Sequence, residues 1–546
     1  MDKFVLGIDF GTDSCRTLVV NAMTGAIVSS AVCEFTRWKE QRFCRSDLMQ
    51  YRQHPLDHIE SLTQSIVAAV SKLSAEQKEA IVAIGIDATG STPGPVNKDG
   101  VQLALLPEFA NEPDAMFILW KDHTATAESV EITASAKKQS QDYTRFCGGT
   151  YSAEWFWAKI LHITRKNKKV REAAYTWVEH SDWLPALLTG TIKPDSLIRN
   201  RCAAGHKGLW HESFPNGYPP EEFFYAFDPD LPRILKTLSP PRSVDSVIGN
   251  LSKEWAERLG LSQNIVVATG IIDAHCGAIG AGISVNTMVK VMGTSTCDMV
   301  LADPSAVKDK TVHGISGQVD GSVLPHYIGF EAGQSSFGDI YAWYEKLLSW
   351  PLYFFKNEIT IKTGTLSLLS ALDKEAAKLP VTENTDYAVD WFNGRRTPDA
   401  NQRVCAGVGG LSLASDTVSV YYALAESSVF GSYAILNRFE EEGIPIKAVI
   451  GTGGIARKSP FIMQLMADCF NRNISVTKEM QTVALGAAII AAAAEKIYEN
   501  IEQAQKALLR GYDSVYTPNQ TRHEILKKRW KKYTAFASFL NTMEKN

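Results

Sequence analysis

The stretch FVLGIDFGTDSCRTLVV, residues Phe4 to Val20, reads as a strand, a glycine turn and a second strand. Asp9 stands at the end of the first strand, and the turn offers Gly11, Thr12 and Ser14. Glycine lets a backbone come close to an anion, and successive N–H groups form a concave donor nest. An acid beside such a loop makes chemical sense when a cation lies between acid and anion. The stretch therefore reads as a site for Mg²⁺ and a nucleotide phosphate, with Asp9 on the metal side.

The remainder of the chain frames that reading. Its 546 residues exceed what one core accommodates, so two domains are expected. Hydrophobic residues make up 45% and charged residues 21%, the balance of a globular protein rather than a disordered one. A formal net charge of −4 argues against a broad nucleic-acid surface while leaving room for a small anion site. The nine cysteines are scattered and form no CxxC pair, which points to a reduced, cytoplasmic protein without structural zinc. The first residues enter a strand with no basic and apolar leader. The longest apolar run, Val483 to Ala494, is too short to cross a bilayer. It reads as a buried helix in which Gly486 and the alanines allow close packing. No membrane or nucleic-acid partner is expected.

Three strands are expected at Phe4–Asp9, Arg16–Asn21 and Ile27–Cys33, then a helix over Pro55–Leu73 and a strand over Ile81–Ile86 leading into Asp87. Strands alternating with helices indicate an α/β domain. The chain then echoes itself. FGTDSCRTLVV begins at Phe10 and MGTSTCDMVLA at Met292, the latter preceded by the strand-like TMVKV. A third glycine turn, GTGGIARK, follows an apolar strand within KAVIGTGGIARKSPFIMQLMADCF, from Lys447. Each turn alone also reads as an ordinary hairpin. Three in this order favour phosphate binding, although neither a Walker A loop nor a strand–GxGxxG–helix unit occurs. Two duplicated halves, each opening on such a hairpin, are the pattern of the actin-like ATPase fold. The expected architecture is α/β: two actin-like (ribonuclease H-like) domains, residues 1–282 and 283–546, with the nucleotide in the cleft between them.

Within GIIDAHCGAIGAG an apolar strand ends at Ile272 and presents Asp273 ahead of a small-residue helix. A kinase of hydroxyl groups needs a base near the acceptor hydroxyl, and Asp273 could serve. It could equally cap the helix. His275 reads as a packed histidine.

The chain resembles the FGGY family of carbohydrate kinases over nearly its full length. The resemblance is carried by GSTP (Gly90–Pro93), LWKDHTA (Leu119–Ala125), AEWFWAKILH (Ala153–His162), AGHKGLWHES (Ala204–Ser213), GTSTCD (Gly293–Asp298), FEAGQSSFGDIYAWY (Phe330–Tyr344), DWFNGRRTP (Asp390–Pro398) and GGIARK (Gly453–Lys458). It implies transfer of the γ-phosphoryl group of ATP, with Mg²⁺, to a sugar. L-ribulose is the acceptor it favours, with xylulose or ribitol as alternatives. It further implies a first phosphate motif at Thr12 and Ser14 and a second at Gly293, Thr294 and Ser295. An adenosine motif falls at Gly453, Gly454 and Ala456. Asp9 would face Mg²⁺ through water, and Asp273 would be the catalytic aspartate. Lys207, Glu331, Ser91 and Thr92 would lie at the sugar. A homodimer is among the assemblies it allows.

The sequence departs from the family in places. Trp155 stands near the position where the first family signature carries a lysine, and Ser419 replaces a usual amide, acid or histidine, while Glu426 fits. LWKDH lacks the arginine–glutamate pair of glycerol kinases, which argues against glycerol. Trp155, Phe156 and Trp157 point to different faces of any helix, so at least one belongs to the core and another could wall a sugar. The Arg395–Arg396 pair reads as an exposed turn rather than a phosphate clamp. The rival of another class is a non-sugar actin-like ATPase, a filament or chaperone. Such a protein has no use for Lys207, Asp273 and Glu331 together.

Overall fold

The computed structural model describes residues 2–307, 310–354 and 368–543. Strands Phe4–Phe10, Ser14–Asn21 and Ile27–Glu34 form an antiparallel meander. Ile81–Ala88 and then Val266–Ala268 extend the sheet parallel to the first strand. Val247–Asn250 lies antiparallel at the edge, and the short Ile271–Ile272 pairs with the far end of Ile81–Ala88. The second sheet repeats the plan. Thr287–Met292, Thr296–Ala302 and Ile328–Ala332 form its meander, and Ala448–Thr452 and Ile474–Thr477 continue it in parallel. Gly317–Asp320 and Tyr512–Tyr516 occupy its edges. This is the doubled arrangement expected from the echo, a two-domain actin-like fold.

The echo itself is out of step by one residue. The first hairpin closes on Phe10↔Cys15, the second on Met292↔Thr296. Ser295 therefore stands where Ser14 stands, and the counterpart of Cys15 is Thr296 rather than Cys297. The second hairpin carries Val291 at the position of Asp9, so only the first half brings an acid to its turn.

Strand alternation decides what faces where. Phe4, Leu6, Ile8 and Phe10 join Leu62 and Ile66 of the helix Pro55–Val70 in one core. That helix stops short of the expected Leu73, with Ser71 at its C-cap. Val5, Gly7 and Asp9 face the other way, toward the space between the sheets. The helix Thr482–Ala494 lies there, so close that a Cβ on Gly7 would stand 1.9 Å from the Ala484 carbonyl oxygen. The helix Asp273–Ala281 packs beside it, and a Cβ on Gly486 would stand 2.0 Å from the Cys276 carbonyl oxygen. The apolar run at Val483–Ala494 is thus the close-packed buried helix its small residues suggested. Its cluster takes Val5 and Val20 from the first sheet and Val289 and Met299 from the second.

The row Val5–Gly7–Asp9 is matched in the neighbouring parallel strand by Ala83–Gly85–Asp87, with Asp9 opposite Asp87. Both acids therefore sit at the C-terminal ends of their strands, on the face between the domains.

A long insertion between Ile81–Ala88 and Val247–Asn250 has its own core around Trp157, Trp177 and Phe224. It carries the helices Phe156–Lys166 and Arg201–Lys207. In the second half, the helices Thr417–Glu441 and Gln520–Asn541 are joined by a buried ion pair. Arg529 donates from Nε and from a terminal nitrogen to the two oxygens of Glu426, each at 2.6 Å. All nine cysteines are free thiols. No helix among the described residues is long and apolar enough to cross a membrane.

Candidate active site

The two hairpins close in the same way. The Gly11 amide donates to the Ser14 carbonyl at 3.0 Å, and the Gly293 amide donates to the Ser295 carbonyl at 3.0 Å. Thr12 is fixed from behind, since Gln53 donates to its carbonyl at 2.7 Å and the Trp120 indole donates to its hydroxyl at 3.1 Å. Gly293 and Thr294 are exposed. The third turn lies against the second. Gly453 has φ +95°, and a Cβ there would stand 2.5 Å from the Met292 carbonyl oxygen, so glycine is required both for conformation and for space. Gly454 is different, because a Cβ there would meet nothing within 4 Å. Open space borders it, as an approaching ring requires. The Ala456 methyl is buried in the core beneath the turn, so only backbone there is left to face a ligand.

Three carboxylates gather at the strand ends. Asp9 accepts a 2.7 Å bond from Arg16, its register partner across the hairpin. Burial raises the Asp9 carboxyl, and Arg16 pulls it part of the way back. Asp87 is fully buried and neither of its oxygens has a hydrogen-bond partner. Burial, with Asp9 and Asp273 nearby, holds it well above the usual carboxylate range. Asp273 begins its helix but does not cap it, as the N-cap position belongs to Ile272. Among the described residues its side chain is bonded to the adjacent Ala274 amide, at 2.7 Å. Burial, reinforced by Asp9, pushes it up to about 7. A buried carboxylate without a donor lacks a counter-charge. The orphaned oxygens of Asp87 beside Asp9 therefore fit a divalent cation. Sequence reading missed Arg16 and Asp87. Hairpin register would have found the first, and the parallel row ending in Gly85–Ile86–Asp87 the second.

On the other side of the cleft, Lys207 ends the helix Arg201–Lys207 and Glu331 lies in the strand Ile328–Ala332. The Lys207 ammonium donates to both oxygens of Glu331, at 2.6 and 2.8 Å, and both residues are buried. Burial works against both charges, yet each holds the other ionised: Glu331 is brought down to about 2, chiefly by Lys207. His275 and His206 stand at 3.5 and 3.8 Å from the same carboxylate, and burial lowers both imidazoles, His275 to about 4. These three groups are spaced closely enough to hold a metal, but Lys207 already occupies the Glu331 oxygens.

The Lys207 ammonium also lies 5.2 Å from the centre of the Trp155 ring, a cation–π distance. Trp157, by contrast, belongs to the core and donates its indole N–H to the Gly208 carbonyl at 2.8 Å.

The Ser91 and Thr92 hydroxyls are engaged within the protein. Both are fully buried, and Glu179 accepts from the Ser91 hydroxyl and, at 2.8 Å, from the Thr92 amide. The Thr92 hydroxyl pairs with Thr89 at 3.0 Å. Their hydroxyls hold the turn together and are not free for a sugar. The arginine pair is also corrected. Arg395 folds over the Trp391 ring at 4.7 Å, and Arg396 reaches across the cleft to Glu154 at 3.5 Å.

Two family models match the chain: the N-terminal domain of the FGGY family of carbohydrate kinases over residues 4–280, and its C-terminal domain over residues 288–495. A curated relative from Vibrio parahaemolyticus, named ribulokinase, is 42% identical over 97% of this chain and 95% of its own length. Another of that name, from Halalkalibacterium halodurans, is 32% identical over 98% of this chain and 95% of its own. Among solved structures, a xylulose kinase from Rhodospirillum rubrum superposes with a TM-score of 0.80 at 18% identity, covering 99% of each chain. A glycerol kinase from Plasmodium falciparum gives 0.75 at 18% identity, covering 98% of each. At these identities the two structures speak for the fold alone.

Proposed function

The chain belongs to the FGGY family of carbohydrate kinases, and from that membership we propose that it transfers the γ-phosphoryl group of ATP to L-ribulose, giving L-ribulose 5-phosphate. The observation that carries the reading is the order of groups along one cleft: phosphate-type turns, then Asp273, then the buried Lys207–Glu331 pair. Full-length relatives bearing the name ribulokinase support the choice of sugar.

In this reading the turns closed by the Gly11 and Gly293 amides present the hydroxyls of Thr12, Ser14, Thr294 and Ser295, which hold the phosphates and stabilise charge on the transferring group. Asp273 accepts the proton of the terminal hydroxyl as that oxygen attacks in line. Lys207 donates to sugar oxygens and Glu331 accepts from sugar hydroxyls. Asp9 and Asp87 would hold Mg²⁺, which when bound neutralises phosphate charge. The buried floor of the cleft excludes water, which otherwise takes the phosphoryl group in place of the sugar.

The deciding experiment is a coupled ADP-release assay with L-ribulose, xylulose, ribitol and glycerol. The expected result is the highest kcat/KM on L-ribulose. Higher efficiency on any other acceptor overturns the substrate assignment, and no sugar-dependent turnover overturns the kinase reading.

Gly454→Val tests the adenosine side. Its Cβ enters the open space beside the third turn, with nothing within 4 Å. The expected outcome is a higher KM for ATP with little change in KM for the sugar. Equal loss of both ligands assigns Gly454 to folding instead.

A further inference from the structure

Arg396 is a cation at the cleft that the mechanism above leaves unused. Its loop is rigid: Arg395 and Asn401 exchange backbone bonds of 2.9 and 2.8 Å. The Thr397 hydroxyl donates to the Gly333 carbonyl at 2.6 Å and accepts from the Gly333 amide at 2.8 Å. Gly333 directly follows the strand that carries Glu331, so the Thr397 bonds tie the Arg396 loop to the end of that strand.

Its guanidinium stands 3.5 Å from Glu154 and makes no hydrogen bond among the described residues. A guanidinium has five N–H donors. Glu154 opens the aromatic stretch of the first half and meets His123 Nε2 at 3.0 Å. Burial works against the Glu154 charge, but Arg396 and His123 bring it down to about 2.

The charges felt by Arg396 are those of Glu154, Cys297, Glu331 and Asp298. Asp273 instead feels Asp9, Glu331 and Lys207. The Lys207–Glu331 pair thus lies between Asp273 on one side and Arg396 and Glu154 on the other. Contacts give the same order: His275, two residues after Asp273, meets Glu331 at 3.5 Å, Lys207 joins Glu331 to the ring of Trp155 at 5.2 Å, and Glu154, the residue before Trp155, meets Arg396.

We propose that Arg396 and Glu154 bind the end of the sugar remote from the transferred phosphoryl group and give the site its preference for a ketose. The assignment rests on the kinase reading above. With the terminal hydroxyl at Asp273, the C1 hydroxyl and C2 carbonyl of an open-chain ketopentose lie at the far end. The carbonyl only accepts and Arg396 only donates. The C1 hydroxyl donates to Glu154. A polyol's C2 hydroxyl also accepts, but it carries a proton that needs an acceptor of its own, and Arg396 offers none.

The test measures KM and kcat for L-ribulose, ribitol and ATP in the wild type, Arg396→Met, Arg396→Lys and Glu154→Gln, with thermal melting of each. In Arg396→Met, KM for L-ribulose is expected to rise about 10- to 100-fold, the scale of a lost charged hydrogen bond. KM for ribitol rises less, so the preference for the ketose narrows, and KM for ATP stays within about twofold of wild type. Arg396→Lys, which keeps the charge without the fork, falls between, and Glu154→Gln moves in the same direction. An unchanged sugar KM in a folded variant overturns the proposal. So does a rise in KM for ATP equal to that for the sugar, or an equal rise for ketose and polyol. Wild-type rates judge the kinase reading; the ratio of variant to wild type, on the ketose and polyol it turns over best, judges Arg396.

Discussion

Asp273→Asn is expected to lower kcat on the sugar by about 10²–10⁴-fold, the range of general-base contributions, while the protein melts near the wild-type temperature. The asparagine has the same shape, and its amide oxygen can keep the 2.7 Å bond to the Ala274 amide. The helix loses no cap, because Ile272 occupies that position. Removing the charge also relieves repulsion from Asp9 and Glu331, the groups that with burial hold the carboxyl near about 7. What disappears is the proton acceptor. Binding of ATP should persist, since the glycine turns are untouched. A kcat within about threefold of wild type ends the catalytic assignment, whatever the melting curve shows.

Arg529→Met is expected to destabilise the protein by about 3–5 kcal/mol, read as a lower midpoint in denaturant unfolding. The cost is not the arginine's attraction alone. Glu426 would be left buried and charged, with both of its 2.6 Å donors removed, and the Asp386 carbonyl would lose its 2.8 Å donor. A double change supplies the check. With Glu426→Met added, no charge is stranded, and much of the loss should return, because an apolar pair of similar volume replaces a buried ion pair at little net cost. If the double variant is as unstable as the sum of two singles, the pair contributes through its geometry and not through charge compensation.

The sequence made the local architecture readable. Strand, turn and strand around Gly11, the repeat at Gly293 and the third turn at Gly453 all rest on short-range patterns, and each forms where expected. The helix Thr482–Ala494 was readable because small residues at close spacing have few other uses. What escaped was set by long-range pairing. Ser91 and Thr92 have the composition of a ligand turn, yet Glu179, 88 residues from Ser91, takes the serine hydroxyl. Arg396 sits in a glycine-led turn, which suggested exposure, but a partner from the other half draws it into the cleft. Asp87 was passed over as the end of a strand because its importance arises only when two parallel strands set it opposite Asp9. The shared Thr-x-x-Cys lettering hid the difference of one residue between the two hairpins, which only the strand register exposes.

The helix Thr482–Ala494 follows a strand of the second sheet but rests its backbone on Gly7, in the first strand of the first sheet. That crossing imposes an order on biosynthesis. A nascent chain leaving the ribosome completes the strands of its first sheet long before their inner cover exists, and Val5 and Gly7 remain bare on one face until Ala494 has been translated. The two repeats are therefore not two foldons. Cutting the gene between them separates a sheet from its cover, and a chimera that exchanges halves between relatives has to match the exchanged sheet to a helix encoded in the other half.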